Sequence, residues 1–149
     1  MSIFHLFQQL RGRRWLWMLE SYWRLWPILL RIKVKQDKWL RAQFTLKQAS
    51  SVHRSSKHGL KHTIELGMYE SVRLAARLHF FEVQCLPRSI ALAHMLCARG
   101  YDAQLVVGVA ASGHGFASHA WVEVSGTIIG EPEDLSDNFI SLNMPSNET

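Results

Sequence analysis

Residues 85–109 read CLPRSIALAHMLCARGYDAQLVVGV, and this stretch predicts a helix followed by a buried strand. Pro87 falls in the first turn, where a helix tolerates proline, and apolar residues recur at helical spacing until Gly100, a residue type that ends helices. The run AQLVVGVA, at 103–110, has the continuous apolar character of a buried strand. The helix therefore begins beside Cys85 and carries this thiol at its N-terminus.

The next stretch, residues 111–131, reads ASGHGFASHAWVEVSGTIIGE and predicts a hairpin. ASGHGFAS favours a loop, and HAWVEV then alternates as a strand that begins at His119. Ser125-Gly126 is a tight-turn dipeptide, and TIIGE is the partner strand. Because such a strand packs beside the helix that begins at Cys85, we expect Cys85 and His119 to share one α+β core.

The N-terminal half is predicted to be helical on both sides of a linker. An apolar stripe at helical spacing runs to Pro27, which is expected to kink or end that helix, and a second helix ends near Leu78. Between them, residues 44–60 are polar and rich in Ser, which is typical of a linker or mobile loop. We therefore expect a helical extension over 1–43, this linker, and a core over 61–149, in one compact domain overall.

Composition indicates a folded protein, since 48% of the 149 residues are hydrophobic and 19% are charged. The N-terminal apolar stretch carries Glu20, Arg24 and Pro27 and has no small-residue cleavage site, so it reads neither as a signal peptide nor as a membrane span. Two cysteines lie about 18 Å apart along one predicted helix, too far for a disulfide. We expect free thiols and a cytoplasmic protein.

The placement of Cys85 and His119 points to nucleophilic catalysis. A thiol at a helix N-terminus faces the partial positive charge of unpaired amides, which favour a thiolate and also stabilise an oxyanion. An imidazole brought to it by the sheet accepts the thiol proton and passes it to a leaving amine. Glu131, on the strand after the turn, is the candidate that orients the imidazole, and Asp134 and Asp137 are the alternatives.

Most free cysteines are small buried hydrophobic residues, and Cys97, inside the apolar stripe of the helix, fits that interpretation. A strand histidine is usually structural, and a carboxylate at a strand end is usually solvated. Neither the cysteine nor the histidine with its carboxylate is therefore, by itself, specific for a catalytic site.

Taken together, CLPRSIALAHMLCARGYDAQLVVGV and FASHAWVEVSGTIIGE closely resemble the transglutaminase-like cysteine proteases that mature lasso peptides. Among these, the chain is similar to the stand-alone leader peptidase of the split type. The resemblance covers about residues 65–142. It implies a transglutaminase-like or papain-like core, in which a central helix carries the Cys and packs on a small antiparallel sheet, preceded by N-terminal helices.

The family pattern implies that Cys85 is the nucleophile and His119 the general base. Its third member is normally an Asp on the following strand, and this sequence departs from the pattern with Glu131 at the matching place. The implied activity is an endopeptidase that removes the leader peptide of a lasso peptide precursor. The implied partners are that leader, a small leader-binding protein and an ATP-dependent macrolactam synthetase.

The same thioester chemistry serves a transglutaminase-like acyltransferase or amidase, which the sequence does not separate from a peptidase. No metal is expected, because His94, Cys97, His114 and His119 lack zinc-ligand spacing. No cofactor is expected either, because the glycines lack the ending of a phosphate loop.

A noncatalytic peptide- or membrane-binding module is the remaining class, because the N-terminus is basic and rich in Trp. No nucleic-acid motif is visible. The apolar face with Trp15, Met18, Tyr22 and Trp26 is expected to cover part of the core and to dock the leader-bound partner, with membrane contact as the less favoured alternative.

Overall fold

The computed structural model describes residues 14–34, 58–112, 115–132 and 135–142. In chain order its elements are α1 (Arg14–Lys33), α2 (His58–Leu78), α3 (Cys85–Cys97), β1 (Ala103–Ser112), β2 (Gly115–Val124), β3 (Thr127–Ile128), α4 (Leu135–Asn138) and β4 (Ile140–Ser141). The strands form one antiparallel sheet in the order β3-β2-β1-β4. The predicted α+β class is confirmed.

Helix α3 is the centre of the fold, because α1, α2 and the sheet all pack against it. Ile90, Met95 and Leu96 of this helix are completely buried, and the Ser89 hydroxyl donates a hydrogen bond of 2.8 Å to the carbonyl of Ala120 in β2. Buried Ile and Leu side chains each stabilise the fold by about 1.5–3 kcal/mol. Helix α3 therefore holds the other two helices and the sheet together.

The C-terminus of α3 is closed as the sequence predicts. Gly100 has φ +79°, in the left-handed region where glycine carries no Cβ penalty. Its N–H donates to the carbonyl of Cys97 (2.9 Å), and the N–H of Tyr101 donates to that of Leu96 (3.1 Å). This paired arrangement satisfies the last carbonyls of the helix.

Strands β1 and β2 form a longer hairpin than the sequence predicts. They pair without interruption from Ala103–Val124 to Ser112–Gly115. The prediction of a loop over 111–118 is therefore wrong for its strand residues, and His119 lies in the middle of β2 rather than at its start. Cross-strand hydrogen bonds extend the ladder through small residues that show little strand propensity on their own.

The Ser125-Gly126 turn is confirmed, with φ +51° and +82°, the signature of the hairpin turn that suits twisted strands. The partner strand is short, because only Thr127–Ile128 pair as β3, and Glu131 follows it. The acidic end of the chain contributes α4 and a strand, β4, that pairs with Gly108 and Val109.

Pro27 is predicted to kink or end its helix; α1 continues past it to Lys33, so of these two outcomes the end is wrong. Leu25 and Ile28, on either side of Pro27, are buried in the core, and this packing offsets the lost backbone hydrogen bond. The predicted linker lies mostly outside the described residues, and its last three residues, 58–60, belong to α2. No helix in the described ranges combines the length and hydropathy that a bilayer crossing requires.

An ion-pair network joins α1 to the end of α3. Arg99 contacts both carboxylate oxygens of Glu20 (2.6 and 3.3 Å), and Arg24 contacts Oε1 of the same carboxylate at 2.8 Å. The hydrogen bond from Arg99 lowers the pKa of Glu20 below its ordinary value, with a further contribution from Arg24. A lowered pKa means that Glu20 stabilises the fold above its unfolded-state pKa and loses this effect as the pH falls through its folded-state value.

Glu20→Gln is therefore expected to lower the free energy of unfolding by about 1 kcal/mol at neutral pH and to have almost no effect at an acidic pH below the folded-state pKa of Glu20. Urea denaturation of both proteins at the two pH values measures this difference. Glu70→Gln is the matched control, because its pair with Arg73 is exposed and longer, at 3.4 Å. An equal loss at both pH values would contradict an electrostatic role for Glu20.

Candidate active site

Cys85 is the first residue of α3 and is partly buried. Gln84 precedes it in an extended conformation (φ −76°, ψ −178°), and no side-chain hydrogen bond caps the helix. The first turn has no acidic residue and contains Arg88, whose Nε donates to the carbonyl of Gln84 at 3.2 Å. The first amides of a helix have no intrahelical acceptor, so the thiol faces positive partial charge.

A small cavity of about 20 Å³ lies at this end of α3. Cys85 and Glu131 both line it, although they are far apart in the chain. The volume has room for one water-sized group. The remaining lining comes from α2, α3 and the sheet: Tyr69, Val72, Arg73, Arg88, Ser89, Leu92, Ala120, Trp121, Val122 and Ile129.

Glu131 is held by a tyrosine from α2. The Tyr69 hydroxyl donates a hydrogen bond of 3.0 Å to Oε1 of Glu131. Burial, followed by the negative charge and the hydrogen bond of Glu131, raises the pKa of Tyr69 to about 12, so the phenol remains a donor at neutral pH. Gly130, with φ +74°, lies against the Tyr69 ring so closely that a Cβ would overlap it.

His119 lies beside the same carboxylate. Its Nε2 is 3.7 Å from Oε1 of Glu131, and this nitrogen is buried, with no hydrogen-bond partner among the described residues. The imidazole stacks on Trp121 (ring centroids 6.3 Å apart, 18° between planes) and packs against Phe139 at 6.0 Å. The carboxylate of Glu123, two residues along β2 from Trp121, accepts a hydrogen bond of 2.9 Å from Nε1 of Trp121. The ring is therefore held by packing on one side and faces the carboxylate on the other.

The structure brings Glu131 next to His119 and places Glu131 with Cys85 around one cavity. In the described part of the chain no hydrogen bond joins the Cys85 thiol to the imidazole. Asp134 and the side chain of Asp137, the alternative orienting carboxylates, lie outside the described residues, as does His114.

Sequence reasoning did not identify Tyr69 or Arg73 at this site. Tyr69 lies on a helix 62 positions before Glu131, and no local pattern marks it. The sequence could have indicated Arg88, because this residue is part of the CLPRS motif at the helix start.

The other cysteine is in a different environment. The Cys97 thiol donates to the carbonyl of Ala103 (3.6 Å) at the opposite end of α3, and desolvation raises its pKa. Both thiols are free, as predicted, but Cys97 is on the exposed side, which corrects its interpretation as a buried hydrophobic residue. His79 and His94 have pKa values lowered mainly by burial.

A family model described as the transglutaminase-like superfamily matches residues 23–144. The chain is also similar to the microcin J25-processing protein McjB of Escherichia coli, with 40% identity over 62 residues, which are 42% of this chain and 29% of that protein. The matched stretch is thus less than a third of the length of McjB. No solved structure gives a significant match. Because the family match runs from α1 through the three-helix core to the last strand of the sheet, the chain belongs to the transglutaminase-like superfamily.

Proposed function

We propose that the chain is a cysteine endopeptidase that removes the leader peptide from a lasso peptide precursor. The observation that carries this proposal is that Cys85, at an uncapped helix N-terminus, lines one small cavity together with Glu131, whose Oε1 lies 3.7 Å from Nε2 of His119. Membership of the superfamily and the partial similarity to a microcin J25-processing protein support the same reaction class.

In the proposed mechanism, Glu131 faces Nε2 of His119, which leaves Nδ1 as the atom that accepts the thiol proton. The Cys85 sulfur attacks the scissile carbonyl carbon, and the backbone N–H groups at the start of α3 stabilise the resulting oxyanion. His119 then gives its proton to the leaving amine, which departs with the C-terminal product. Water hydrolyses the thioester that remains, releasing the leader and restoring the thiol.

The proposed partners are a small leader-binding protein, which delivers the precursor, and a macrolactam synthetase, which uses the α-amine that cleavage liberates. Tethering by the leader-binding protein raises the local concentration of the scissile bond without new contacts at the site. The chain itself is proposed to act without a cofactor.

The proposal is tested by incubating the purified protein with a precursor and its leader-binding protein and identifying the products by mass spectrometry. We expect a leader with a free carboxylate and a core peptide with a free α-amine. The assay is repeated with excess of a small primary amine. A leader that carries the amine instead of the carboxylate would show an acyltransferase, and intact precursor at all concentrations would contradict both activities.

Glu131→Gln is expected to lower kcat by about tenfold to a hundredfold, less than loss of the base, because packing against Trp121 and Phe139 still holds the imidazole. Steady-state cleavage assays measure this change. Glu131→Asp recreates the family residue with a shorter reach and is expected to be intermediate. Full activity in Glu131→Ala, with loss in Asp134→Ala or Asp137→Ala, would transfer the orienting role to the acidic segment.

Helix α1 offers a surface for the leader-binding protein. Leu25 and Ile28 are buried and several other apolar side chains of α1 are half-buried against the core, whereas a further set is exposed at a regular spacing of three and four residues. This exposed stripe consists of Leu16, Leu19, Trp23, Trp26 and Leu30. Such spacing is typical of a helix face that docks another helix. We propose that the stripe binds the leader-bound partner.

Trp23→Ala combined with Leu30→Ala is expected to lower the ratio of partner-stimulated to unstimulated cleavage by about tenfold, because exposed apolar anchors dominate docking energies. These side chains are 71% and 63% exposed, so the core remains intact. Removing residues 1–26 is a poorer test, because it removes buried Leu25. Leu78→Ala, at another exposed leucine, is the control. An unchanged ratio, with liposome binding lost, would favour a membrane instead.

A further inference from the structure

Three cavities that are lined in part by arginines border α2, and the first of them is the cavity at Cys85. Arg73 and Arg88 line the cavity at Cys85 and also a larger cavity of about 300 Å³. Arg73 and Arg77 line that larger cavity and then a third one of about 210 Å³. Neighbouring cavities share these arginines in their lining, so the three lie next to one another, and we name them together the arginine groove.

The arginine groove carries an excess of positive charge. Arg14, at the start of α1, lines its far end, so four arginines face the groove together with three glutamates, Glu70, Glu82 and, at Cys85, Glu131. Glu70 lies 3.4 Å from Arg73, but their side chains are 61% and 38% exposed, and exposed pairs contribute little. The groove therefore retains cationic groups for an anionic ligand.

One wall of the groove is apolar. Phe80 and Phe81, in the segment between α2 and α3, line the larger cavity and are 87% and 43% exposed. Large exposed aromatic side chains next to arginines are typical of surfaces that bind peptides. The groove thus suits a ligand that combines carboxylates with a large apolar side chain.

The spacing of the arginines suits an extended chain. Arg73 and Arg77 are one turn apart on α2, a separation of about 6 Å along the helix axis. In an extended peptide, alternate side chains point the same way and are separated by about 6.6 Å. Carboxylates two residues apart therefore match the spacing of Arg73 and Arg77 along the helix axis.

We propose that the arginine groove binds the peptide substrate on one side of its scissile bond, through acidic side chains two residues apart and an apolar side chain against Phe80 and Phe81. This inference rests on the proposed function, because the groove selects the substrate of the same nucleophile. The occupant is a peptide rather than a nucleic acid, since the groove includes the cavity at the proposed nucleophile Cys85. Arg73 and Arg88 border that cavity, so the nearer acidic residue lies within about four residues of the scissile bond.

The test measures binding of fluorescein-labelled peptides that span the leader–core junction of the precursor, using the full-length Cys85→Ala protein so that none is cleaved. The peptides come in pairs, one pair for each of about four positions on either side of the junction. The two peptides of a pair differ only in having Glu or Lys at that position. We expect Glu to bind about three- to tenfold more tightly than Lys at alternate positions on one side only, with the difference reduced by salt.

A charge swap identifies the groove as the cause. With Arg77→Glu added, the preference at the more distant acidic position is expected to invert, so that Lys binds more tightly there, which a merely structural role would not produce. Glu70→Gln is the matched control and is expected to strengthen the preference for Glu, because it removes a competing carboxylate. Equal binding of all Glu and Lys peptides, or a preference for Glu at the more distant position that survives Arg77→Glu, would overturn the proposal. So would tight binding of a single-stranded oligonucleotide without any peptide preference.

Failure of the proposed peptidase activity and failure of the proposed groove give different results. If the wild-type protein cleaves none of the peptides while Glu preference and its inversion persist, the proposed peptidase activity fails and the groove remains a peptide-binding site. If cleavage proceeds with no charge preference, the groove proposal fails and the peptidase stands.

Discussion

Cys85→Ala is expected to lower the rate of leader cleavage by about 10⁴-fold or more, because no other group replaces the attacking sulfur once it is removed. Among the described residues that line the cavity, Cys85 is the one thiol, and the remaining polar side chains are those of Tyr69, Arg73, Arg88, Ser89, Trp121 and Glu131. Single-turnover cleavage of the precursor, followed by mass spectrometry, measures the loss. Cys85→Ser is expected to be nearly as inactive, because a hydroxyl ionises much less readily than a thiol.

Cys97→Ala is the matched control for this prediction. Cys97 lies at the other end of α3, and its hydrogen bond to Ala103 is peripheral, so the variant is expected to keep its activity. Unfolding curves of both variants separate loss of the nucleophile from loss of the fold. A Cys85→Ala protein that cleaves at the wild-type rate, with the leader-binding partner present, would refute the assignment of the nucleophile.

His119→Ala is expected to lower kcat by about 10²- to 10⁴-fold with little change in KM, because the imidazole transfers a proton within the bound complex and does not hold the peptide. The side chain is 24% exposed, so its removal leaves a small packing defect between Trp121 and Phe139 rather than an empty core. Measurement of kcat and KM separately distinguishes this outcome from weakened binding.

Three other histidines provide comparisons for His119. His79 contacts the rings of Tyr22 and Trp26, away from the cavity at Cys85, so His79→Gln is expected to affect stability more than turnover. His94 and His114 are expected to tolerate substitution. Comparable loss of turnover in His114→Ala, with His119→Ala still active, would move the general base to the segment that joins β1 and β2.

Local sequence signals were sufficient for the helix and the turns that frame the site. Pro87 in its first turn and Gly100 after its end bound α3, and the Ser125-Gly126 turn defines the edge of the hairpin. These signals work because they reflect backbone conformations that a few residue types adopt without strain. The position of Cys85 at a helix N-terminus follows from them directly.

Where tertiary packing competes with local propensity, the sequence-based predictions were wrong. Pro27 does not end α1, because Leu25 and Ile28 bury their side chains on both sides of it. Residues 111–112 continue β1 and residues 115–118 continue β2, because each of them pairs with a residue of the other strand. Strand β4 was missed because two residues carry too little pattern to be recognised.

For the site itself, the sequence determined which chemical groups are present and which element carries each of them. They are a thiol at a helix start, an imidazole on a strand and a carboxylate after the turn. Only the tertiary structure decided that Glu131 has two neighbours, Tyr69 at 3.0 Å and His119 at 3.7 Å. The first contact joins residues 62 positions apart and depends on Gly130, whose missing side chain lets the Tyr69 ring approach. Such contacts depend on how α2, α3 and the sheet pack around a common core, and packing is set by many distant side chains at once rather than by any local run of sequence.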